Sequence, residues 1–138
     1  MNGLERRIVL DASAALEWIL GGSARALVDK LLPVAVIPSS GLAEVLYIAR
    51  LRGHGIASSE LAGALMTMGA AVEPVITQDA IRAADLIAAS KSASSPAGSL
   101  SLGDGLCIAV AERLELPITG GDLYWETLDL RVRVLSFR

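Results

Sequence analysis

The sequence contains one cysteine, one histidine and no long apolar run, and these shortages set the first limits on it. Cys107 has no partner for a disulfide within the chain, so a reducing, cytoplasmic setting is the default expectation. His54 and Cys107 fall into no zinc-ligand spacing, which argues against a zinc site. No apolar stretch reaches the roughly 18 residues that span a bilayer, so no membrane segment is expected. Met1 to Arg7 is charged, but a strand-like run and Asp11 follow too soon for a signal peptide. Positive charge is also short: 12 Lys and Arg stand against 15 Asp and Glu, a formal net charge of −3. That balance argues against a protein that holds nucleic acid by a basic surface alone.

What is present is a chain of 138 residues, 53% hydrophobic, long enough to bury one sizeable core. Much of the apolar excess is Ala and Leu, which suits tightly packed helices and leaves some surface for a partner. No internal repeat and no long linker divides the chain, so residues 1–138 are expected to form one domain.

Short strand-like runs alternate with longer helical ones. Arg6 to Leu10 has an apolar, β-branched centre and ends at Asp11, the pattern of a first strand. Ala12 to Leu20 reads as a helix stopped by Gly21 and Gly22, and Ser23 to Leu32 as a second with Ser23 as its N-cap. Val34 to Ile37, enclosed by two prolines, is the second predicted strand. Helices follow over Ser40 to Arg52 and Ser58 to Gly69, then a strand-like stretch over Ala71 to Ile76. Pro74 restricts that stretch to a sheet edge or to no regular strand at all. Thr77 to Ser90 repeats apolar residues at helical spacing, and Ser92 to Ser99 is a small, polar loop. Leu102 to Glu115 returns to helix, while Leu116 to Ile118 and Arg131 to Phe137 supply the last strands. This alternation specifies a parallel sheet covered on both faces, and the fold class is α/β.

Four carboxylates stand where such a fold gathers its ligands, beyond the carboxyl ends of the strands. Asp11 follows the first strand, and Asp122 follows Leu116-Pro117-Ile118 through two glycines. Glu44 lies in the first turns of the helix entered from the second strand, and Asp104 opens a helix. Each has an ordinary alternative. Asp11 suits a helix N-cap, Ser101 and Asp104 suit a capping box, Glu44 a solvated helix start, and Asp122 a Gly-Gly-Asp turn. Their joint placement on one rim favours a shared role. Crowded carboxylates repel one another, and hard divalent cations relieve that repulsion. Oxygen-only ligation suits Mg²⁺ or Mn²⁺, and phosphodiester hydrolysis is the chemistry such a cluster supports. Setting the four acids aside leaves the rest of the chain slightly positive, which is compatible with a phosphate-bearing substrate.

Four segments carry a resemblance: Val9 to Ala14 (VLDASA), Leu42 to Leu46 (LAEVL), Leu100 to Cys107 (LSLGDGLC) and Ala109 to Trp125 (AVAERLELPITGGDLYW). In order and spacing the chain resembles PIN-domain proteins, in particular the VapC-type toxins of bacterial and archaeal toxin–antitoxin pairs. The resemblance implies a three-layer α/β/α sandwich about a mostly parallel sheet and Mg²⁺- or Mn²⁺-dependent endoribonuclease activity on RNA. It also implies a homodimer and inhibition by a cognate antitoxin. By position, Asp11, Glu44, Asp104 and Asp122 correspond to the family's acidic quartet. Ser13 accompanies the first Asp, either to bind a phosphate or a metal-bound water, or simply to cap a helix. The family has Thr or Ser two residues before the last Asp, whereas this chain has Gly120 there and Thr119 one position earlier.

Other residues are weighed beside these. His54 fits an exposed loop better than a general base. Arg50 and Arg52 either touch RNA phosphates or complement a helix dipole, and Arg131 and Arg133 alternate on one strand face. Cys107 fits a buried core. Trp18 and Trp125 fit packing anchors, with base stacking a minor alternative for Trp125. The Ala-rich helix from Ser58 to Met68 suits dimer contacts or core packing equally. Two further functions compete. A haloacid-dehalogenase-like phosphatase needs a second Asp two residues after the first, where this chain has Ser13. A non-catalytic binding partner that kept the quartet is favoured only by Gly120.

Overall fold

The computed structural model describes residues 7–92, 98–120 and 123–137. Strands β1 (Ile8–Val9), β2 (Ala35–Pro38), β3 (Ala71–Glu73), β4 (Ile118–Gly120) and β5 (Val134–Ser136) form one sheet in the order β3-β2-β1-β4-β5. Every pairing between them is parallel, with Val9 opposite both Val36 and Ile118. Between the strands run α1 (Ala12–Leu20), α2 (Arg25–Leu31), α3 (Ser39–Leu51), α4 (Ser58–Thr67), α5 (Thr77–Ser92) and α6 (Leu102–Leu114).

Alternation along the strands sends side chains to two separate cores. Leu10, Ala35 and Ile37 join Ala14, Ile19, Val45, Ala49, Leu61 and Leu65 under α1 to α4. Val9, Val36 and Ile118 join Cys107, Ile108, Ala111, Tyr124 and Trp125 under α6. β1, β2 and β4 are buried on both faces, as a parallel sheet requires. The result is the expected three-layer α/β/α sandwich. No helix among the described residues is long and apolar enough to cross a membrane.

Two ion-pair groups fix the outer layer. Arg113 of α6 donates to Asp79 of α5 at 2.9 Å and to Glu73 of β3 at 3.1 Å. Arg82 of α5 donates to Glu112 of α6 at 2.7 Å, and the Arg131 N–H reaches the same carboxylate at 2.9 Å.

Some boundaries differ from the sequence expectation for identifiable reasons. Ser23 is not the cap of α2. Its turn is organised by Glu17, whose carboxylate accepts from the Ala24 N–H at 3.4 Å, and the helix begins at Arg25. β4 starts at Ile118 rather than Leu116, and the Pro117 carbonyl before it accepts from the Val9 N–H at 2.8 Å. Arg131 and Arg133 precede β5 and do not alternate along it. β3 ends at Glu73, immediately before Pro74, on the sheet edge that this proline demands. The Ser92 to Ser99 loop falls mostly outside the described residues.

Candidate active site

The chain leaves β1 towards β2 and β3 on one side, while β4 and β5 lie on the other. The sheet therefore changes winding direction between β1 and β4, and the crevice beyond their carboxyl ends is where a doubly wound sheet binds its ligands. Asp11 stands at the mouth of that crevice. It is only 4% exposed, a depth at which a carboxylate needs hydrogen bonds. One oxygen accepts from the Ala14 N–H at 3.3 Å, as the N-cap of α1, and from the Thr119 hydroxyl at 3.0 Å. The other accepts from the Ser13 hydroxyl. Thr119, on β4, also accepts from the Asp11 N–H at 3.2 Å. One buried hydroxyl thus fixes both the backbone and the carboxylate of Asp11.

Glu44 and Asp104 approach from the helices on either side. Asp104 sits in the first turn of α6, where its carboxylate accepts from the Ser101 N–H at 3.3 Å and the Ser101 hydroxyl accepts from the Asp104 N–H at 3.1 Å. The capping box is therefore real, and it holds Asp104 in place rather than excluding it from the site. Glu44 lies against the same turn. A Cβ added at Gly103 would fall 2.3 Å from Glu44 Oε1, so glycine is the residue that leaves room for this carboxylate.

The electrostatics follow from this placement. Burial pushes Asp11 above the ordinary carboxylate range; the hydrogen bonds from Ser13, Thr119 and Ala14 pull it back in part, and Asp104 adds to the rise. Glu44 is raised by burial and then by the negative charges of Asp104 and Asp11. The Cys107 thiol is pushed up chiefly by burial and further by Asp11, Glu44 and Asp104. Cys107 is thus a buried core thiol beneath the acids and is not poised as a nucleophile.

Three of the four expected acids therefore share one electrostatic neighbourhood, and Asp122 lies outside the described residues. Among the described residues no three acidic, histidine or cysteine side chains converge closely enough to enclose a metal ion. The donors nevertheless fit a hard divalent cation, since they are carboxylate oxygens whose mutual repulsion a cation would relieve.

The remaining candidates separate. Ser13 does not cap α1, because Asp11 does, and its hydroxyl is given to Asp11. Thr119 is 2% exposed and supports Asp11 rather than facing a ligand. Arg50 is exposed on the last turn of α3, beside a groove formed with Ala43, Leu46, Tyr47, Leu51 and Ser58. His54 sits in a loop, where its Nδ1 accepts from the Ile56 N–H at 3.3 Å. Trp125 is 2% exposed, which leaves no face for a base. It also accounts for Gly120, because a Cβ there would meet the Trp125 ring at 2.8 Å. The supporting roles of Thr119 and Gly103 are not evident from the sequence. The only local signal at Gly103 is a glycine preceding an acid in a helix's first turn.

A profile of the PIN domain matches residues 8–122. The chain belongs to the PIN-domain family. Comparison with curated proteins gives no match. Among solved structures, a toxin–antitoxin complex from Klebsiella pneumoniae is similar at TM-score 0.71 and 16% identity, over 95% of this chain and 98% of that one. VapC20 of Mycobacterium tuberculosis, a Sarcin–Ricin loop cleaving toxin, is similar at TM-score 0.68 and 17% identity, over 91% and 98%. A DNA-bound VapBC from Salmonella typhimurium gives 0.70 and 17%, over 96% and 98%. At these identities the likeness is one of fold.

Proposed function

We propose that this chain is a Mg²⁺- or Mn²⁺-dependent endoribonuclease that acts as the VapC-like toxin of a toxin–antitoxin pair. The observation that carries the proposal is the buried Asp11 at the β1–β4 crevice, held by Ser13, Thr119 and Ala14 and electrically coupled to Glu44 and Asp104. Asp122 is assigned as the fourth acid on the family resemblance. A bound divalent cation would supply charge stabilisation at the phosphoryl group and acidify an attacking water. Asp11 contributes a carboxylate whose orientation is fixed before substrate arrives. Asp104 is oriented by its capping box, and the Glu44 carboxylate, which makes no hydrogen bond among the described residues, is left to adjust its position. Ser13 keeps Asp11 in one rotamer.

The toxin part of the proposal takes support from the folds of the toxin–antitoxin structures above. It implies an RNA substrate, a cognate antitoxin, a homodimer and a cytoplasmic site of action. A non-catalytic PIN-fold binding partner is the second reading. Gly120 favoured it in the sequence, but the hydroxyl missing there is supplied to Asp11 by Thr119 from the preceding position.

The purified protein is expected to cut total bacterial RNA with Mg²⁺ or Mn²⁺ and to stop with EDTA. Asp104→Asn should reduce cleavage by more than the ~10–100-fold typical of residues that only orient a metal's ligands. Full cleavage by Asp104→Asn removes Asp104 from the mechanism, and cleavage that survives EDTA removes the metal.

A further inference from the structure

We propose that the groove between α3 and the start of α6 is a nucleobase subsite in which Tyr47 stacks a base flanking the scissile phosphate; the inference rests on the ribonuclease reading above. Tyr47 is 55% exposed, whereas Tyr124 and Trp125 are buried and Trp18 and Phe137 are partly buried. An aromatic ring left in water on a rigid helix is a prepared stacking surface. Tyr47 lies three residues after Glu44, one turn along the same face of α3. The two residues line one groove of about 390 Å³ with Ser40, Ser101 and Leu102, a volume within the range of small-ligand clefts.

The chemistry of the groove suits a base better than a phosphate. Its one charged side chain is Glu44, so a phosphate placed there would be repelled. Tyr47 and the 68% exposed Leu102 offer apolar surface to a flat neutral ring. One hydroxyl is available for the ring's polar edge, because Ser101 Oγ already accepts from the Asp104 N–H and still has its own proton to donate. Because Glu44 forms part of the wall, a base in this groove belongs to a nucleotide next to the acids.

The test is a double-mutant cycle between protein and RNA. The cut site is mapped on total RNA, and a synthetic oligonucleotide spanning it is then prepared with an abasic residue at each position flanking the cut in turn. With wild-type protein, one flanking position should lose kcat/KM by roughly fivefold to a hundredfold when its base is removed. Tyr47→Ala should lose a similar factor on the intact oligonucleotide and nothing further on that abasic one. Tyr47→Phe, which keeps the ring, should retain the coupling. Equal losses from Tyr47→Ala on intact and abasic RNA at every position overturn the proposal. So does unchanged kcat/KM with an altered oligomeric state in gel filtration, which makes this surface a protein interface. Wild-type cleavage with no effect at Tyr47 sinks the inference alone, whereas no metal-dependent cleavage by wild type sinks the ribonuclease reading and the inference with it.

Discussion

The Thr119 hydroxyl has a single proton, and the Asp11 carboxylate at 3.0 Å is a nearer acceptor than the Val9 carbonyl at 3.4 Å. Its lone pairs take the Asp11 N–H. Thr119→Val keeps the shape and removes both interactions, so a buried N–H is left unpaired at a cost of about 1–3 kcal/mol. The variant is expected to melt lower than wild type and to cleave RNA more slowly, whereas Thr119→Ser should preserve both properties. Melting curves and initial rates on one RNA decide this, and a fully active Thr119→Val would mean that Ser13 and Ala14 hold Asp11 unaided. This residue marks the limit of what the sequence discloses. Asp11, Glu44 and Asp104 can be placed because each follows a strand or opens a helix in a local pattern. The Thr119–Asp11 bond joins positions 108 residues apart, and it exists only because β4 pairs with β1. No local pattern encodes that pairing. Gly120 likewise looks like a lost hydroxyl until the Trp125 ring is seen in the space that a side chain would need.

At the scale of elements, α5 and α6 are joined across their charged faces as well as through apolar contacts. Glu112 is buried, with Arg82 and the Arg131 N–H as its donors. Burial alone would raise its pKa, but those hydrogen bonds and the charges of Arg82 and Arg131 outweigh burial and leave it lowered. A carboxyl group whose folded pKa is depressed stabilises the fold above its unfolded value, near 4.5. That contribution disappears as pH falls through the folded value. Glu112→Gln is therefore expected to lower stability at neutral pH by on the order of 2 kcal/mol. Its melting curve should converge on that of wild type as the pH is taken below the ordinary Glu range. A gap that stays constant with pH would assign the loss to packing rather than charge. Elements with strong periodicity, such as α1 and α5, are readable to within a residue or two, and Pro74 correctly signals the edge. The start of α2 is not, because its organising contact comes from Glu17 in the preceding helix.

For the molecule as a whole, the sheet order and the acids make one arrangement. Winding reverses between β1 and β4, and there the chain exposes a crevice to which Asp11, Glu44 and Asp104 are brought from a strand end and two helices. Such a cluster works against folding while it is metal-free. The Glu44 carboxylate makes no hydrogen bond among the described residues, and its charged neighbours in the cluster are negative. Its folded pKa is raised, so stability associated with it is present at low pH and is lost as pH rises through that value. Above that value the ionised Glu44 is thus a net cost to the fold, and Glu44→Gln should there raise the melting temperature of the metal-free protein. Metal should reverse the ranking. A ligand that binds the folded state stabilises it in proportion to the logarithm of its excess over Kd, about 2.7 kcal/mol at roughly a hundred times Kd. Wild type should therefore gain melting temperature steadily as Mn²⁺ or Mg²⁺ is added, and Glu44→Gln should gain much less. If the two proteins respond alike to metal, Glu44 is not among its ligands. If neither responds, the acids repel one another without a cation to hold.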